Sequence, residues 1–230
     1  MRKNGYPERL APNSLQNYDI LSRMKLYLSS YGVGVEPQRL LEFLGDKKRT
    51  AVIMAAQDYQ PETIRQERLE ASLGELSALG LHPEELDLRP YFINNSALET
   101  DIAAYDFVWV RGGNVFTLRQ ALVLSGLDSI LPRLIKENII AYGGYSAGAC
   151  VLAPTLRGID LVDPLDRSGI GYPKSDIVWD GLSVIDYSIV PHYKSEHPES
   201  ADVDRYVQYL EHHGMPYITL RDGEVRVVNE

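Results

Sequence analysis

The sequence has 230 residues, of which 44% are hydrophobic and 24% are charged, and its formal net charge at pH 7 is -9. This length and composition suit one globular domain with a single core. The acidic balance disfavours nucleic acids and anionic membrane surfaces as partners, because no block of Lys or Arg offsets it. The single cysteine, Cys150, excludes an intrachain disulfide and a cysteine-rich zinc site.

Residues 1–23 lack the periodicity of the rest of the chain. We predict that they form a flexible N-terminal extension, ahead of a single domain over residues 24–230. The extension has no apolar core typical of a signal peptide, and no apolar run in the sequence is long enough to span a bilayer. We therefore expect a cytoplasmic protein.

From Met24 onward, patterns typical of strands alternate with patterns typical of helices. The predicted strands are Lys25–Ser30, Thr50–Ala56, Glu84–Leu88, Asp106–Val110 and Ile139–Tyr142, and the predicted helices are Pro37–Leu44, Thr63–Leu79, Val115–Ser125 and Leu131–Lys136. The continuous apolar runs indicate strands that are buried on both faces. This alternation predicts an α/β fold of three layers, in which a mostly parallel sheet lies between helices on both faces.

The C-terminal segment has a different pattern. Tyr217–Leu220 and Glu224–Val228 flank the turn Arg221-Asp222-Gly223. An Asp-Gly pair between two apolar runs is typical of a tight hairpin. We therefore predict that these two strands pair with each other in a C-terminal hairpin.

A candidate nucleophile lies in Gly144-Tyr145-Ser146-Ala147-Gly148, which matches the pattern G-x-S-x-G. A predicted buried strand precedes this segment, and small and apolar residues typical of a helix follow it. A sharp strand-to-helix turn raises the serine above the sheet edge and requires small neighbours. Ser146 is therefore predicted to be the nucleophile of a serine hydrolase. The alternatives are a structural glycine-rich turn and a phosphate-binding loop, and the segment lacks the Gly-Lys-Ser/Thr ending of the latter.

The segment Arg111-Gly112-Gly113-Asn114 follows another predicted strand, at the edge where ligands bind in an open α/β sheet. Two glycines allow backbone amides to approach a substrate closely. The amides of Gly113 and Ala147 are the predicted donors to an oxyanion. Asn114 is also a candidate N-cap of the following helix, and the two roles are compatible.

His192 is the favoured general base among five histidines, because Ile189–Tyr193 places it at the end of an apolar strand. His197 is an alternative, as a residue that contacts substrate or supports the base. The competing interpretation of His192 is a structural histidine in the core. The residues alone do not choose the carboxylate that orients the imidazole. The candidates are Asp160, Asp163 and Glu196.

Four parts of the chain together resemble the peptidase E family of aspartyl dipeptidases, whose relatives include cyanophycinase. These parts are Gly112–Phe116, Gly143–Ala149, Pro154–Arg157 with Val162–Pro164, and Val190–Tyr193. The resemblance covers roughly Met24 to the C-terminus. It implies a fold like that of class I glutamine amidotransferases and a Ser-His-acid hydrolase that removes N-terminal aspartate from dipeptides.

Matching these segments assigns the nucleophile to Ser146, the base to His192 and the acid to Asp160. The spacing from the serine to Asp160 is slightly shorter than in the family pattern, so Glu196 and Asp163 remain alternative acids.

The resemblance also bears on the ligands. Arg111, Arg157 and Asn114 are candidate contacts for substrate, and a guanidinium suits the carboxylate of an aspartate side chain. No metal or organic cofactor is implied. We expect a small peptide as partner, neither nucleic acid nor membrane, and leave a homodimer open.

Three other functions compete with a dipeptidase. A cyanophycinase-like or other amide hydrolase of the same fold is the nearest, and a non-catalytic relative that binds small molecules is another. A glutamine amidotransferase subunit is disfavoured, because that chemistry normally places cysteine at the position of Ser146.

Overall fold

The computed structural model describes residues 24–229, so the predicted extension over residues 1–23 lies outside the described residues. The elements are β1 (Lys25–Ser29), α1 (Gln38–Leu44), β2 (Arg49–Ile53), α2 (Glu62–Ala78), β3 (His82–Glu85), α3 (Leu98–Ala103), β4 (Phe107–Val110), α4 (Val115–Ser125), α5 (Leu127–Lys136), β5 (Ala141–Tyr145), α6 (Ala147–Cys150), β6 (Ser188–Val190), α7 (Ser200–His212), β7 (Tyr217–Thr219) and β8 (Val225–Asn229). Within this range, no helix combines the length and apolarity required to cross a membrane.

The main sheet contains six strands in the order β3-β2-β4-β5-β1-β8. Neighbouring strands from β3 to β1 run parallel, and β8 runs antiparallel to β1 at the edge. A second sheet consists of β6 and β7, which are also parallel. The predicted α/β architecture with a mostly parallel sheet is confirmed.

The side chains of the central strands enter two separate apolar layers. In β4, Val108 and Val110 enter the layer formed with α4, α5, α6 and α7, whereas Phe107 and Trp109 enter the layer formed with α1 and α2. Successive side chains of a strand point to opposite faces of its sheet, which explains why both faces are apolar. The prediction of three layers is therefore confirmed.

β5 extends further toward its C-terminus than the predicted strand, which ended at Tyr142. It continues through Gly143 and Gly144 to Tyr145. A Cβ atom on Gly143 would lie 2.5 Å from Cζ of Phe107 and 2.7 Å from Cε3 of Trp109. The aromatic rings of β4 therefore occupy the space that a side chain at this position would need.

The predicted C-terminal hairpin is wrong. The turn itself is present, since the amide of Glu224 donates to the carbonyl of Arg221 at 2.8 Å and Gly223 has φ of 95°. However, β7 pairs with β6, and β8 pairs with β1, so the two strands that leave this turn belong to different sheets. The sequence pattern of a turn is the same whether its two strands pair with each other or with other strands, so the pattern did not distinguish the two cases.

The contacts around Gly143 predict a measurable loss of stability when a side chain is added there. We expect Gly143→Ala to lower the free energy of unfolding by about 1–3 kcal/mol, because an extra methyl group overpacks the layer under Phe107. Gly74→Ala is the matched control. Gly74 lies inside α2 with open space around it, so alanine there should stabilise the fold by about 0.5–1 kcal/mol. Urea denaturation followed by circular dichroism measures both values, and equal stability of the two variants would contradict the prediction.

Candidate active site

Ser146 occupies a sharp turn between β5 and α6. Its φ is 49° and its ψ is -119°, a region that residues with a side chain rarely adopt. A Cβ atom on Gly148 would lie 2.2 Å from the carbonyl oxygen of Val110, and one on Gly144 would lie 2.9 Å from the backbone of Gly148. Both glycines of the motif therefore allow α6 to pack directly against β4 and β5, which places Ser146 at the carboxyl edge of the sheet.

The loop after β4 lies directly beside this turn. A Cβ atom on Gly112 would lie 2.9 Å from Cβ of Ser146, and one on Gly113 would lie 2.2 Å from the carbonyl oxygen of Ala56. The side-chain amide of Gln57 donates to the carbonyl of Gly112 at 2.5 Å. The loop is thus fixed against Ser146 in a conformation that only glycine fits.

Two backbone amides near Ser146 are free to bind a ligand. In residues 24–229, the N–H groups of Gly113 and Ala147 make no hydrogen bond to another protein group, whereas the N–H of Ser146 donates to the carbonyl of Ser29 at 3.2 Å. Ala147 is the first residue of α6, where N–H groups have no partner within the helix. The two amides predicted from the sequence are therefore available as donors.

His192 follows β6, and its side chain is anchored by residues from two other strand ends. The ring nitrogen Nδ1 lies 2.6 Å from Oδ1 of Asp222, just after β7. The hydroxyl of Ser30, just after β1, accepts from the backbone N–H of His192 at 2.8 Å and donates to Oδ1 of Asp222 at 2.8 Å. Because Nδ1 is engaged by a carboxylate, Nε2 is the nitrogen that remains for proton transfer.

The surroundings of His192 favour a neutral imidazole. Burial lowers the pKa of His192 below its ordinary value of 6.5, and the hydrogen bond that His192 donates to Asp222 opposes this shift only in part. The ring of His197 stacks on it with the centroids 3.7 Å apart and the planes 9° from parallel. The imidazole of His192 is thus neutral at neutral pH and able to accept a proton.

Ser146 and His192 line the same small cavity, which has room for about 20 Å³, enough for one water-sized group. Asp163 and Glu199 are also part of its wall. No hydrogen bond joins the side chains of Ser146 and His192 in the described residues. Hydrogen bonds between catalytic groups are often long without substrate and tighten when it binds.

The structure does not bring the predicted acid Asp160 to the imidazole. Asp160 is exposed, and its carboxylate accepts from the amide of Gly158 at 3.0 Å. Glu196 is exposed as well, and no contact joins it to His192 in residues 24–229. The carboxylate at Nδ1 is Asp222, which the sequence analysis placed only in a turn. Its position at the C-terminal end of a strand was a signal that could have identified it.

The other alternative acid, Asp163, is buried in the cavity wall. Its Oδ2 atom accepts from the backbone N–H of Val115 at 2.7 Å, at the start of α4. Burial raises the pKa of Asp163 to about 7, the Val115 amide opposes this rise, and the negative charge of Glu199 adds to it. Asp163 therefore lines the same cavity as Ser146 and His192, without a hydrogen bond to the imidazole.

The two predicted arginines lie in different places. Arg111 is half-buried, its Nη1 donates to the hydroxyl of Ser72 at 2.5 Å, and its Nε is buried without a partner in residues 24–229. It lines a cleft of about 530 Å³ together with Tyr31 and Asp222. Arg157 is exposed and stacks over the ring of Trp179, 5.2 Å from its centroid. Only Arg111 therefore lies beside the His192–Asp222 pair.

Asn114 is buried and acts as the N-cap of α4. Its Oδ1 accepts from the backbone N–H of Thr117 at 2.9 Å, and its Nδ2 donates to the carbonyl of Pro164 at 2.8 Å. Both ends of the amide are thus occupied by protein groups. The capping role considered in the sequence analysis is confirmed.

One group of side chains has the composition of a metal site. Ligand atoms of His192, His197 and Glu199 lie within 4.8 Å of one another. A metal ion lies in the plane of each imidazole that binds it, at about 2.0–2.1 Å from the nitrogen. Two nearly parallel rings 3.7 Å apart cannot share such an ion unless one of them rotates. The group is therefore not preformed for a metal.

Three curated proteins are similar in sequence to about half of this chain or slightly more. An uncharacterized peptidase of Listeria monocytogenes is 34% identical over 130 residues, which cover 55% of this chain and 58% of the relative. A Drosophila melanogaster protein named for alpha-aspartyl dipeptidase activity is 28% identical over 155 residues, which cover 62% of this chain and 61% of that protein. Peptidase E of Streptomyces coelicolor is 30% identical over 126 residues, which cover 51% of this chain and 46% of that protein. The matches span about half of these relatives' length.

The fold is similar to a solved structure over nearly its whole length. The crystal structure of a Listeria monocytogenes protein assigned to peptidase E superposes with a TM-score of 0.65 at 26% sequence identity, covering 90% of this chain and 98% of that one. The model of peptidase family S51 matches residues 35–230, which include the turn at Ser146, the loop Arg111–Asn114 and His192. This chain therefore belongs to peptidase family S51.

Proposed function

We propose that this protein is a serine peptidase that hydrolyses small peptides, with dipeptides that begin with aspartate as its preferred substrates. One observation carries the proposal: Ser146, on its strained turn, faces the same cavity as a neutral His192 whose Nδ1 is bonded to Asp222. Membership of family S51 supports the peptidase, and the names of the Drosophila and Streptomyces relatives support the substrate class.

The reaction follows from the free atoms of the site. Nδ1–H of His192 donates to Asp222, so the lone pair of Nε2 accepts the hydroxyl proton as Ser146 attacks the peptide carbonyl. The amides of Gly113 and Ala147 donate to the resulting oxyanion. When the C–N bond breaks, His192 returns the proton to the leaving amine. Water then adds to the acyl-enzyme with His192 as base, and the acid product leaves with Ser146 restored.

Asp222 is the proposed acid of this triad, in place of Asp160. A carboxylate at Nδ1 holds the imidazole in the tautomer that presents Nε2 to the serine, and it stabilises the imidazolium that forms during attack. Asp222 makes that contact, and Ser30 fixes its orientation. Asp160 bonds to its own loop instead.

Arg111 is the proposed partner of the aspartate side chain. Its buried Nε has no partner among the described residues, and it lines a cleft that reaches Asp222. A substrate carboxylate in that cleft would pair with the positive charge of the guanidinium. Arg157 is a weaker candidate, because it is exposed and stacked on Trp179.

The first test asks whether Ser146 performs hydrolysis and which peptides are cleaved. Purified protein is incubated with Asp-Leu, β-Asp-Leu and Ala-Leu, and the released leucine is quantified. We expect Asp-Leu to be cleaved fastest, and we expect Ser146→Ala to lower kcat by about 10⁴-fold or more. Full turnover by Ser146→Ala would refute the mechanism. If β-Asp-Leu is cleaved faster than Asp-Leu, the proposed activity is wrong and the protein is an isoaspartyl hydrolase.

A second test separates the two carboxylates. We expect Asp222→Asn to lower kcat by about 10⁴-fold, because the amide favours the wrong tautomer of His192. Asp160→Asn removes the same charge from an exposed residue and should change kcat by less than about threefold. Steady-state kinetics on Asp-Leu measures both, with circular dichroism as the check on folding. The reverse order of the two effects would restore Asp160 as the acid.

A third test concerns specificity. We expect Arg111→Gln to lower kcat/KM for Asp-Leu by about 10- to 100-fold while leaving Ala-Leu nearly unchanged, since a charged hydrogen bond contributes about 1.5–3 kcal/mol. Arg157→Gln is the matched control and should leave the preference intact. If Arg157→Gln removes the preference and Arg111→Gln does not, the assignment of the two arginines is reversed.

A further inference from the structure

The cavity beside Ser146 has an unusual charge for a site that cleaves acidic substrates. Two carboxylates, Asp163 and Glu199, belong to its wall, and no Lys or Arg forms an ion pair with either in the described residues. The closest basic group to Glu199 is His197, whose Nδ1 lies 3.9 Å from its carboxylate. The charge of Glu199 is therefore not neutralised by an ion pair with Lys or Arg from residues 24–229, and Asp163, whose pKa is raised to about 7, carries a partial negative charge at neutral pH that Arg167 stabilises.

Asp163 is arranged so that one of its oxygens is available. The Oδ2 atom is fixed by the Val115 amide at 2.7 Å, whereas Oδ1 makes no hydrogen bond within residues 24–229. The residue is only 8% exposed, so bulk water does not solvate it well. Its pKa is raised to about 7, chiefly by burial, which is typical of a carboxylate that lacks a cation. A small cationic group at this place would provide the missing charge.

We propose that this cavity binds the α-ammonium group of the substrate through Asp163 and Glu199, and so restricts hydrolysis to peptides with a free N-terminus. The inference rests on the proposed hydrolysis at Ser146 and adds the group that selects the position of cleavage. It also assigns a binding role to Asp163, which the sequence analysis considered only as an acid for the triad.

The distance between the α-nitrogen and the scissile carbonyl of a peptide agrees with this assignment. The α-nitrogen lies two bonds from the carbonyl carbon that Ser146 attacks, which is about 2.5 Å with standard backbone dimensions. A group that recognises the ammonium of the first residue must therefore border the nucleophile. The cavity does so, because Ser146 and Ala147 are part of its wall together with Asp163.

The size and charge of the cavity also exclude other parts of the substrate. Its volume of about 20 Å³ accommodates one group the size of water, and an ammonium is of that size. An aspartate side chain would be repelled by two carboxylates and would be too large. With the ammonium in the acidic cavity, the side chain of the first residue is left to point toward Arg111.

The test compares substrates whose N-terminus is either a charged ammonium or a neutral acetamide. Asp-Leu and N-acetyl-Asp-Leu are assayed with wild-type protein, Asp163→Asn and Glu199→Gln. We expect wild-type protein to prefer the free amine by at least about 100-fold in kcat/KM, and Asp163→Asn to lower kcat/KM for Asp-Leu by about 10- to 100-fold. Neither substitution should change kcat/KM for the acetylated peptide. The preference for the free amine should therefore be smaller in both variants than in wild-type protein.

The variants are chosen so that a folding defect does not imitate the result. Asparagine at position 163 can still accept from the Val115 amide, and Glu199→Gln changes a side chain that is 39% exposed. Asp202→Asn is the matched control. Asp202 lies in the first turn of α7, which begins one residue after Glu199, and its exposed carboxylate pairs with Arg205 at 3.0 Å. Asp202→Asn should preserve the preference for the free amine.

A binding measurement keeps the inference separate from the proposed function. Isothermal calorimetry with Ser146→Ala protein compares the affinity for the two peptides without turnover. Tighter binding of Asp-Leu that is lost when Asp163→Asn is added supports the ammonium site, even if no peptide is hydrolysed by wild-type protein. Equal affinity for both peptides, or a preference that survives both Asp163→Asn and Glu199→Gln, overturns it. Ser146-dependent cleavage of the acetylated peptide with a kcat/KM equal to that for Asp-Leu refutes this inference alone and leaves the serine peptidase intact.

Discussion

The geometry of the site depends on two consecutive serines at the end of β1. The carbonyl of Ser29 accepts from the backbone N–H of Ser146, which supports the strained turn of the nucleophile. The hydroxyl of Ser30 accepts from the backbone N–H of His192 and donates to Asp222. A hydroxyl can do both at once, because it carries one donor and two acceptor lone pairs. Ser29 and Ser30 therefore fix the proposed nucleophile, base and acid relative to one another.

This arrangement explains how residues from two sheets form one site. Ser146 belongs to the main sheet, whereas His192 and Asp222 follow β6 and β7 of the smaller sheet. Ser146 and His192 both have positive φ, at 49° and 59°, and each is a non-glycine residue held there by a hydrogen bond to the end of β1. Backbone strain of this kind persists only where surrounding contacts determine the conformation. β8 reinforces the same place, because it covers the free edge of β1.

The parts of the site that depend on local chain geometry were predictable from the sequence. The turn at Ser146 and the loop at Gly113 require glycine for contacts within a few residues or with the adjacent strand, so their patterns were specific. Asp222 was not predictable in the same way. Its contact with His192 exists because β7 pairs with β6 and not with β8, and a strand partner of this kind is chosen by the tertiary fold. The pattern of an Asp-Gly turn is identical in both cases, and it favoured a hairpin that the structure does not contain.

The distribution of charge around Ser146 favours one orientation of a charged peptide in the site. Carboxylates occupy the small cavity on one side, where Asp163 is held at the start of α4, and the half-buried guanidinium of Arg111 lies in the cleft that reaches Asp222. The first residue of a dipeptide that begins with aspartate carries a positive ammonium on its α-carbon and a negative carboxylate on its β-carbon. Reversing that peptide in the site would place its carboxylate against Asp163 and Glu199 and leave the guanidinium of Arg111 without a negative partner in the cleft. Like charges repel strongly where water is excluded, so the proposed ammonium site and Arg111 would together determine which bond of an Asp-Xaa dipeptide reaches Ser146.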